Sequence, residues 1–273
     1  MLKALIERSP HGEELLQYFN EAERTALEPI QKEERGAWSF LRPFEWIELI
    51  HFSWYLYVLE EVPFDIQNLF LSLLSKNKIK SMQKYVPQIS PTPIPSLFMR
   101  IFVANYLKKK MQPSGIKEID FLPRYALNVL LKLSKFELEQ LANFLGVYDL
   151  AADLKQIVDT SLLKKVYDVL DRTQMKLLQY FSRQPIRVGL PKMGLQSWDG
   201  TQKQLGSLLH QRGLHRIGMA ISDADPSFKW HLLHHLDIGR ARIIQKVTDQ
   251  KYDPSQISYF QSQLLHLLKW YKR

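Results

Sequence analysis

Residues 134–181 read SKFELEQLANFLGVYDLAADLKQIVDTSLLKKVYDVLDRTQMKLLQYF, and helix punctuation recurs along them. Ser134-x-x-Glu137 has the form of a capping box, in which a hydroxyl and a carboxylate satisfy the free N–H groups of a first turn. Leu138, Leu141, Ala142 and Leu145 follow at the spacing of one helical face. Gly146 then offers a left-handed stop. Asp149 is placed to cap a next helix carrying Leu150, Leu154 and Ile157, and Asp159 another carrying Leu162, Val166 and Val169. Asp171-x-x-Gln174 opens a fourth, with Met175 and Leu178. The stretch predicts helices of about two to three turns on very short links, a compact bundle or solenoid-like stack.

The C-terminal third uses the same punctuation. Leu205, Leu208 and Leu209 form a stripe that Gly213 can terminate. Asp225-Pro226 is a cap followed by proline at the first helical position, where its missing N–H costs nothing. Phe228, Leu232, Leu233 and Leu236 then share a face. Asp253-Pro254 repeats the device before a last helix carrying Ile257, Phe260, Leu264, Leu267, Leu268 and Tyr271. Strand signals are nearly missing, so the predicted fold class is all-α, short-helix bundles in two to three domains.

Two segments break the pattern. Residues 86–96 contain Pro87, Pro91, Pro93 and Pro95, which favour extended chain. Residues 184–200 contain Pro185, Gly189, Pro191, Gly194 and Gly200. The expected organisation is an acidic, aromatic-rich domain over 1–90, a middle domain over 91–185, a linker over 186–200 and a C-terminal domain over 201–273. The aromatics between Trp38 and Leu59 (Trp38, Phe40, Phe44, Trp46, Phe52, Trp54, Tyr55, Tyr57) read as N-terminal core more readily than as a ligand box.

The chain has 273 residues, no cysteine and a net charge of +9. Without cysteine there is no disulfide framework, thiolate metal site or thiol nucleophile. The most apolar charge-free run, between Glu48 and Glu60, has 11 residues, where a membrane span needs roughly 20. The beginning of the chain lacks the apolar core of a signal peptide. A soluble cytoplasmic protein is expected, meeting a membrane only from its surface. Charge is split: residues 1–65 hold 6 Lys/Arg against 13 Asp/Glu, a net of −7, and the rest hold 31 against 15, a net of +16. Each end can therefore steer a different partner.

Catalytic motifs are missing. There is no G-x-x-x-x-G-K-[ST], G-x-G-x-x-G or G-x-S-x-G. His231 and His235 are one turn apart, but Leu232 stands where a zinc hydrolase helix carries its glutamate, so a polar helix face is the better reading. The adjacent pairs Glu13/Glu14, Glu33/Glu34 and Glu60/Glu61 diverge on a helix and do not form an acid–base couple. Lys108, Lys109 and Lys110 end a helix-like stretch, where cations suit the dipole. No enzyme, cofactor, metal or small-molecule substrate is expected.

Residues 205–249, LGSLLHQRGLHRIGMAISDADPSFKWHLLHHLDIGRARIIQKVTD, resemble the C-terminal domain of the flagellar motor switch protein FliG. A short helix, a small-residue helix (IGMAISDA) and two amphipathic helices follow in that family's order. The resemblance implies a FliG-like helical domain over 201–273. Where that family carries a pair of acids and an Arg for the stator, this chain has Thr201, Gln202 and Lys203, and a later Arg is His210. That departure implies a non-rotary relative. Residues 136–181 are similar to the SctK/YscK accessory proteins of type III secretion injectisomes, in a helix ending Leu-Gly, a second helix, a hydrophilic turn and a Leu-rich helix.

Together the resemblances imply a non-catalytic adaptor of a type III secretion sorting platform. It would lie at the cytoplasmic face of the inner membrane and link the membrane ring to the pod proteins. The acidic residues Glu13, Glu14, Glu21, Glu23, Glu33 and Glu34 are candidates for a basic partner, and Arg212, Arg216, Arg240 and Arg242 for an acidic one. Each also reads as an ordinary solvated residue. The alternatives are a basic helical nucleic-acid-binding protein and a flagellar rotor protein.

Overall fold

The structure, a computed structural model, describes residues 14, 16–19, 21, 22, 24, 44–94, 96–184 and 191–271. Among the described residues every regular element is an α-helix or a 3-10 segment. The fold is all-α. It consists of two compact units, Met1–Leu122 and Pro123–Arg273.

In the first unit, α1 (Glu45–Leu49), α2 (Phe52–Leu59), α3 (Phe64–Leu71), α4 (Lys76–Gln83) and α5 (Leu97–Met111) surround a core of Ile47, Tyr55, Phe70, Leu71, Met82 and Leu107. Tyr55 packs its ring 5.1 Å from that of Phe70 and donates its hydroxyl to the Ile47 carbonyl at 2.7 Å. Lys78 closes the same helix end, donating to the carbonyls of Ile47 at 2.6 Å and Glu48 at 2.7 Å. A cation there satisfies orphan acceptors and opposes the helix dipole. Of the aromatics read as core, Tyr55 is buried, Phe44, Trp46, Phe52 and Trp54 are half-buried and Tyr57 is exposed. Trp38 and Phe40 lie outside the described residues. Residues 89–94 of the proline-rich segment carry no regular element, and the Ser96 hydroxyl accepts from Met99 N at 3.2 Å to start α5.

The second unit contains α6 (Lys135–Leu154), α7 (Thr160–Val169), α8 (Arg172–Ser182), α9 (Gln202–Ala220), α10 (Pro226–His235), α11 (Ile238–Thr248) and α12 (Pro254–Tyr271). Four of the predicted caps form, those of Ser134, Asp159, Asp171 and Asp225. Ser134 and Glu137 exchange backbone bonds at 3.3 and 2.7 Å. Asp159 accepts from Ser161 N at 2.9 Å, and Asp171 from Thr173 N and Gln174 N at 2.8 Å each. Asp225 accepts from Ser227 N at 2.7 Å, with Pro226 at the first helical position.

The glycines behave differently from the prediction. Gly146 does not stop a helix, and α6 runs 20 residues through it. Gly213 likewise lies inside α9. Neither is among the described glycines with positive φ, which are Gly115, Gly194 and Gly200. Their function is close approach: a Cβ on Gly146 would run into the carbonyl of Leu209, and one on Gly213 into the carbonyl of Ala142. Because 146 meets 209 while 142 meets 213, α6 and α9 cross antiparallel with their backbones nearly touching. A glycine inside a helix costs roughly 0.5–1 kcal/mol relative to alanine, which this packing offsets.

The crossing also affects domain organisation. The sequence places a linker at 186–200, whereas helices on both sides of it share one core. Helix α9 packs on α6, α11 and α12, and α8 packs on α6. Leu138, Leu145, Leu150, Leu205, Leu209, Ile217, Phe260 and Leu264 are buried in the process.

Candidate functional site

The continuity of α6 puts Asp149 inside the core, not at a cap. It is 4% exposed, and it meets Arg216 of α9, which is 3% exposed. Arg216 Nη2 donates to Asp149 Oδ1 at 2.6 Å, and Nη1 donates to the side-chain carbonyl of Gln263 on α12. The guanidinium lies 5.3 Å from the ring centroids of both Tyr148 and Phe260. Tyr148 in turn stacks on Phe181 of α8, with centroids 3.6 Å apart, and burial pushes its phenol up to about 12. Arg216 Nε and Asp149 Oδ2 have no hydrogen-bond partner among the described residues. One cation thus ties together α6, α9 and α12 in a buried setting, where charge interactions are strong and an unmatched charge is costly. Arg216 is therefore closed to an acidic partner, contrary to the expectation.

A second polar cluster lies nearer the surface. Arg240 donates Nε to His210 Nε2 at 2.8 Å and pairs with Asp237 and, at 3.4 Å, Glu139. A guanidinium N–H can only donate, so His210 Nε2 is the acceptor and its proton sits on Nδ1. That nitrogen faces Asn143 Oδ1 at 2.8 Å. Burial, and then the Arg240 charge, hold the His210 imidazole below its usual range. The position where the rotor family carries an Arg thus bridges α6 and α11.

The remaining predicted site residues are scattered. Arg212 donates Nη2 to the Lys192 carbonyl at 2.7 Å. Arg242 is exposed on α11, while Arg240 is half-buried in the cluster just described. Glu14 and Glu21 are exposed; Glu13, Glu23, Glu33 and Glu34 lie outside the described residues. Thr201 caps α9 by accepting from Gln204 N at 3.2 Å, with Gln202 and Lys203 exposed in its first turn.

Two of the three histidines of α10 pack on the Trp230 ring. His234 stacks on Trp230 at 4.0 Å with its Nδ1 2.7 Å from the Trp230 carbonyl, and His231 meets the same ring edge-on at 5.0 Å. Burial lowers the His234 imidazole to about 4. Among the described residues no three His, Asp or Glu side chains gather to hold a metal ion. A shallow opening lined by Asp159, Ser161, Lys165, Gln196 and Trp198 sits at the start of α7, where the Asp159 carboxylate is already bonded to the helix N–H groups.

Sequence reasoning missed Asp149 and Gln263. The available signal was Asp149 itself, a lone acid within the apolar run FLGVYDLAA. No helix among the described residues is long and apolar enough to cross a membrane. No protein-family model, curated protein or solved structure matches this chain.

Proposed function

We propose that this chain is a non-catalytic structural adaptor of a type III secretion sorting platform, linking the inner-membrane ring to the pod proteins at the cytoplasmic face of the membrane. The observation that carries the reading is the union of its two informative stretches. Residues 136–181, similar to the SctK/YscK accessory proteins, form α6 to α8, and residues 205–249, resembling the FliG C-terminal domain, form most of α9 through α11. These stretches are packed through the Gly146/Gly213 crossing into one unit. A connector must transmit position without deforming. A core in which a buried ion pair between α6 and α9 and a hydrogen bond to α12 join three helices suits that task, because separating the partners leaves a buried charge uncompensated.

Ring and pod proteins are the partners of this reading, with one surface for each. Arg242 and the neighbouring Lys246 are exposed cations on α11 for an acidic partner. The test is affinity capture of the tagged full chain from its native host. The reading expects a ring component and a pod component among the recovered proteins; recovery of neither overturns it. Electrophoretic shift of duplex or single-stranded nucleic acid at low salt would favour the nucleic-acid alternative instead.

A further inference from the structure

Helix α5 has one face packed and one face bare. Val103 and Leu107 are buried beside Leu59, Val62, Ile66 and Phe70. On the opposite side Phe98, Phe102, Asn105 and Lys109 follow one another at helical spacing, and all four are exposed. Phe98 is 80% exposed and Phe102 60%, with Leu97 at 63% beside them. Solvent-facing aromatics in a line are not a usual monomer surface and mark an interaction site.

Charge selects the partner. From Ile66 to Lys117 the chain has 52 residues without a single Asp or Glu, and nine cations, eight of them Lys. Arg100 lies 5.0 Å over the Phe44 ring and Lys108 pairs with Glu118, while Lys109 and Lys110 at the end of the helix are exposed. The complement of this surface is anionic and accepts apolar groups. Protein interfaces are depleted in Lys and use Arg for directed pairing. Lys beside exposed Phe on a helix face instead suits a lipid surface, where rings enter the acyl boundary and ammonium groups reach the headgroups.

We propose that the bare face of α5 docks on an anionic lipid bilayer, with Phe98 and Phe102 entering the headgroup boundary and Lys109 and Lys110 meeting the lipid charge. This stands on α5 and the acid-free run around it and does not rest on the adaptor reading. The experiment is flotation of the full chain with vesicles of phosphatidylcholine containing a quarter phosphatidylglycerol, against phosphatidylcholine alone. Binding is expected with the anionic vesicles only, and it should weaken as salt rises. F98S/F102S should reduce partitioning about tenfold. K109E/K110E should reduce it by more than about tenfold, since each cation near such a surface contributes about fivefold. Both pairs are exposed, so circular dichroism should show wild-type helicity, and if one variant is unfolded the other decides. The proposal is overturned if the wild type does not float with anionic vesicles, if it floats equally with neutral ones, or if both folded variants float like the wild type. Retention on immobilised polyglutamate without flotation would point to an acidic protein partner and also overturn it.

Discussion

Replacing Arg216 with methionine should be among the most damaging single substitutions in the second unit. The methionine occupies similar space but leaves the Asp149 carboxylate, 4% exposed, without the 2.6 Å donor on Oδ1. Its Oδ2 has no hydrogen-bond partner among the described residues to compensate. Removing one member of a buried pair costs about 3–5 kcal/mol, against a total stability of roughly 5–15 kcal/mol. For a unit of this size the melting temperature should fall by about 6 to 20 °C. The double variant D149L/R216M removes both charges and should recover most of that loss, because a hydrophobic pair avoids the desolvation penalty. Urea denaturation of the four members of the cycle, followed by circular dichroism and tryptophan fluorescence, gives the coupling energy directly. High salt should change it little, since buried charges are weakly screened. An R216M variant within about 0.5 kcal/mol of wild type, or a double variant no more stable than R216M, would refute the buried-pair argument.

Four further outcomes rest on the packing and caps of the second unit. Gly213→Ala should destabilise by more than about 3 kcal/mol, beyond the usual overpacking penalty, because its methyl meets backbone and not a movable side chain. Gly206→Ala, in the same helix with nothing near the added carbon, should be neutral or stabilising by up to about 1 kcal/mol in the same denaturation experiment. His234 should make the unit acid-sensitive. Its folded value of about 4 lies below the ordinary 6.5, so its contribution is complete above pH 6.5 and is lost as the pH falls toward 4, by at most about 3 kcal/mol. His234→Phe should flatten the stability profile in that window, and an unchanged slope would contradict the assignment. Asp171→Ala, which removes a cap made at 2.8 Å to two N–H groups, should cost about 1 kcal/mol by thermal melting.

The helix starts were legible because a cap is a local device. Ser134 with Glu137, Asp159, Asp171 with Gln174, and Asp225 before Pro226 each act within three residues of themselves. Gly146 and Gly213 were not legible, since a stop and a close crossing look alike in one dimension. What distinguishes them is a backbone more than sixty residues away along the chain. The same holds for Arg216, whose positive charge alone suggests a surface and whose partners Asp149 and Gln263 lie 67 and 47 residues away along the chain. Segment 186–200 has the composition of a linker, yet the helices on either side share a core. Charge and Gly/Pro content describe what a segment tolerates; burial depends on what folds against it. The bare face of α5 was hidden for a related reason: a helix-like stretch ending in three lysines does not say which of its sides Leu59, Val62, Ile66 and Phe70 will cover.

Reconstitution tests the adaptor reading most directly. The full chain is co-expressed with the cytosolic domain of the ring protein and with the pod protein, and the products are resolved by sedimentation velocity. A single species containing all three is predicted, reducing to two separate components when this chain is left out. Ring and pod proteins that bind each other equally well without it, or a chain that sediments apart from both, would contradict the account.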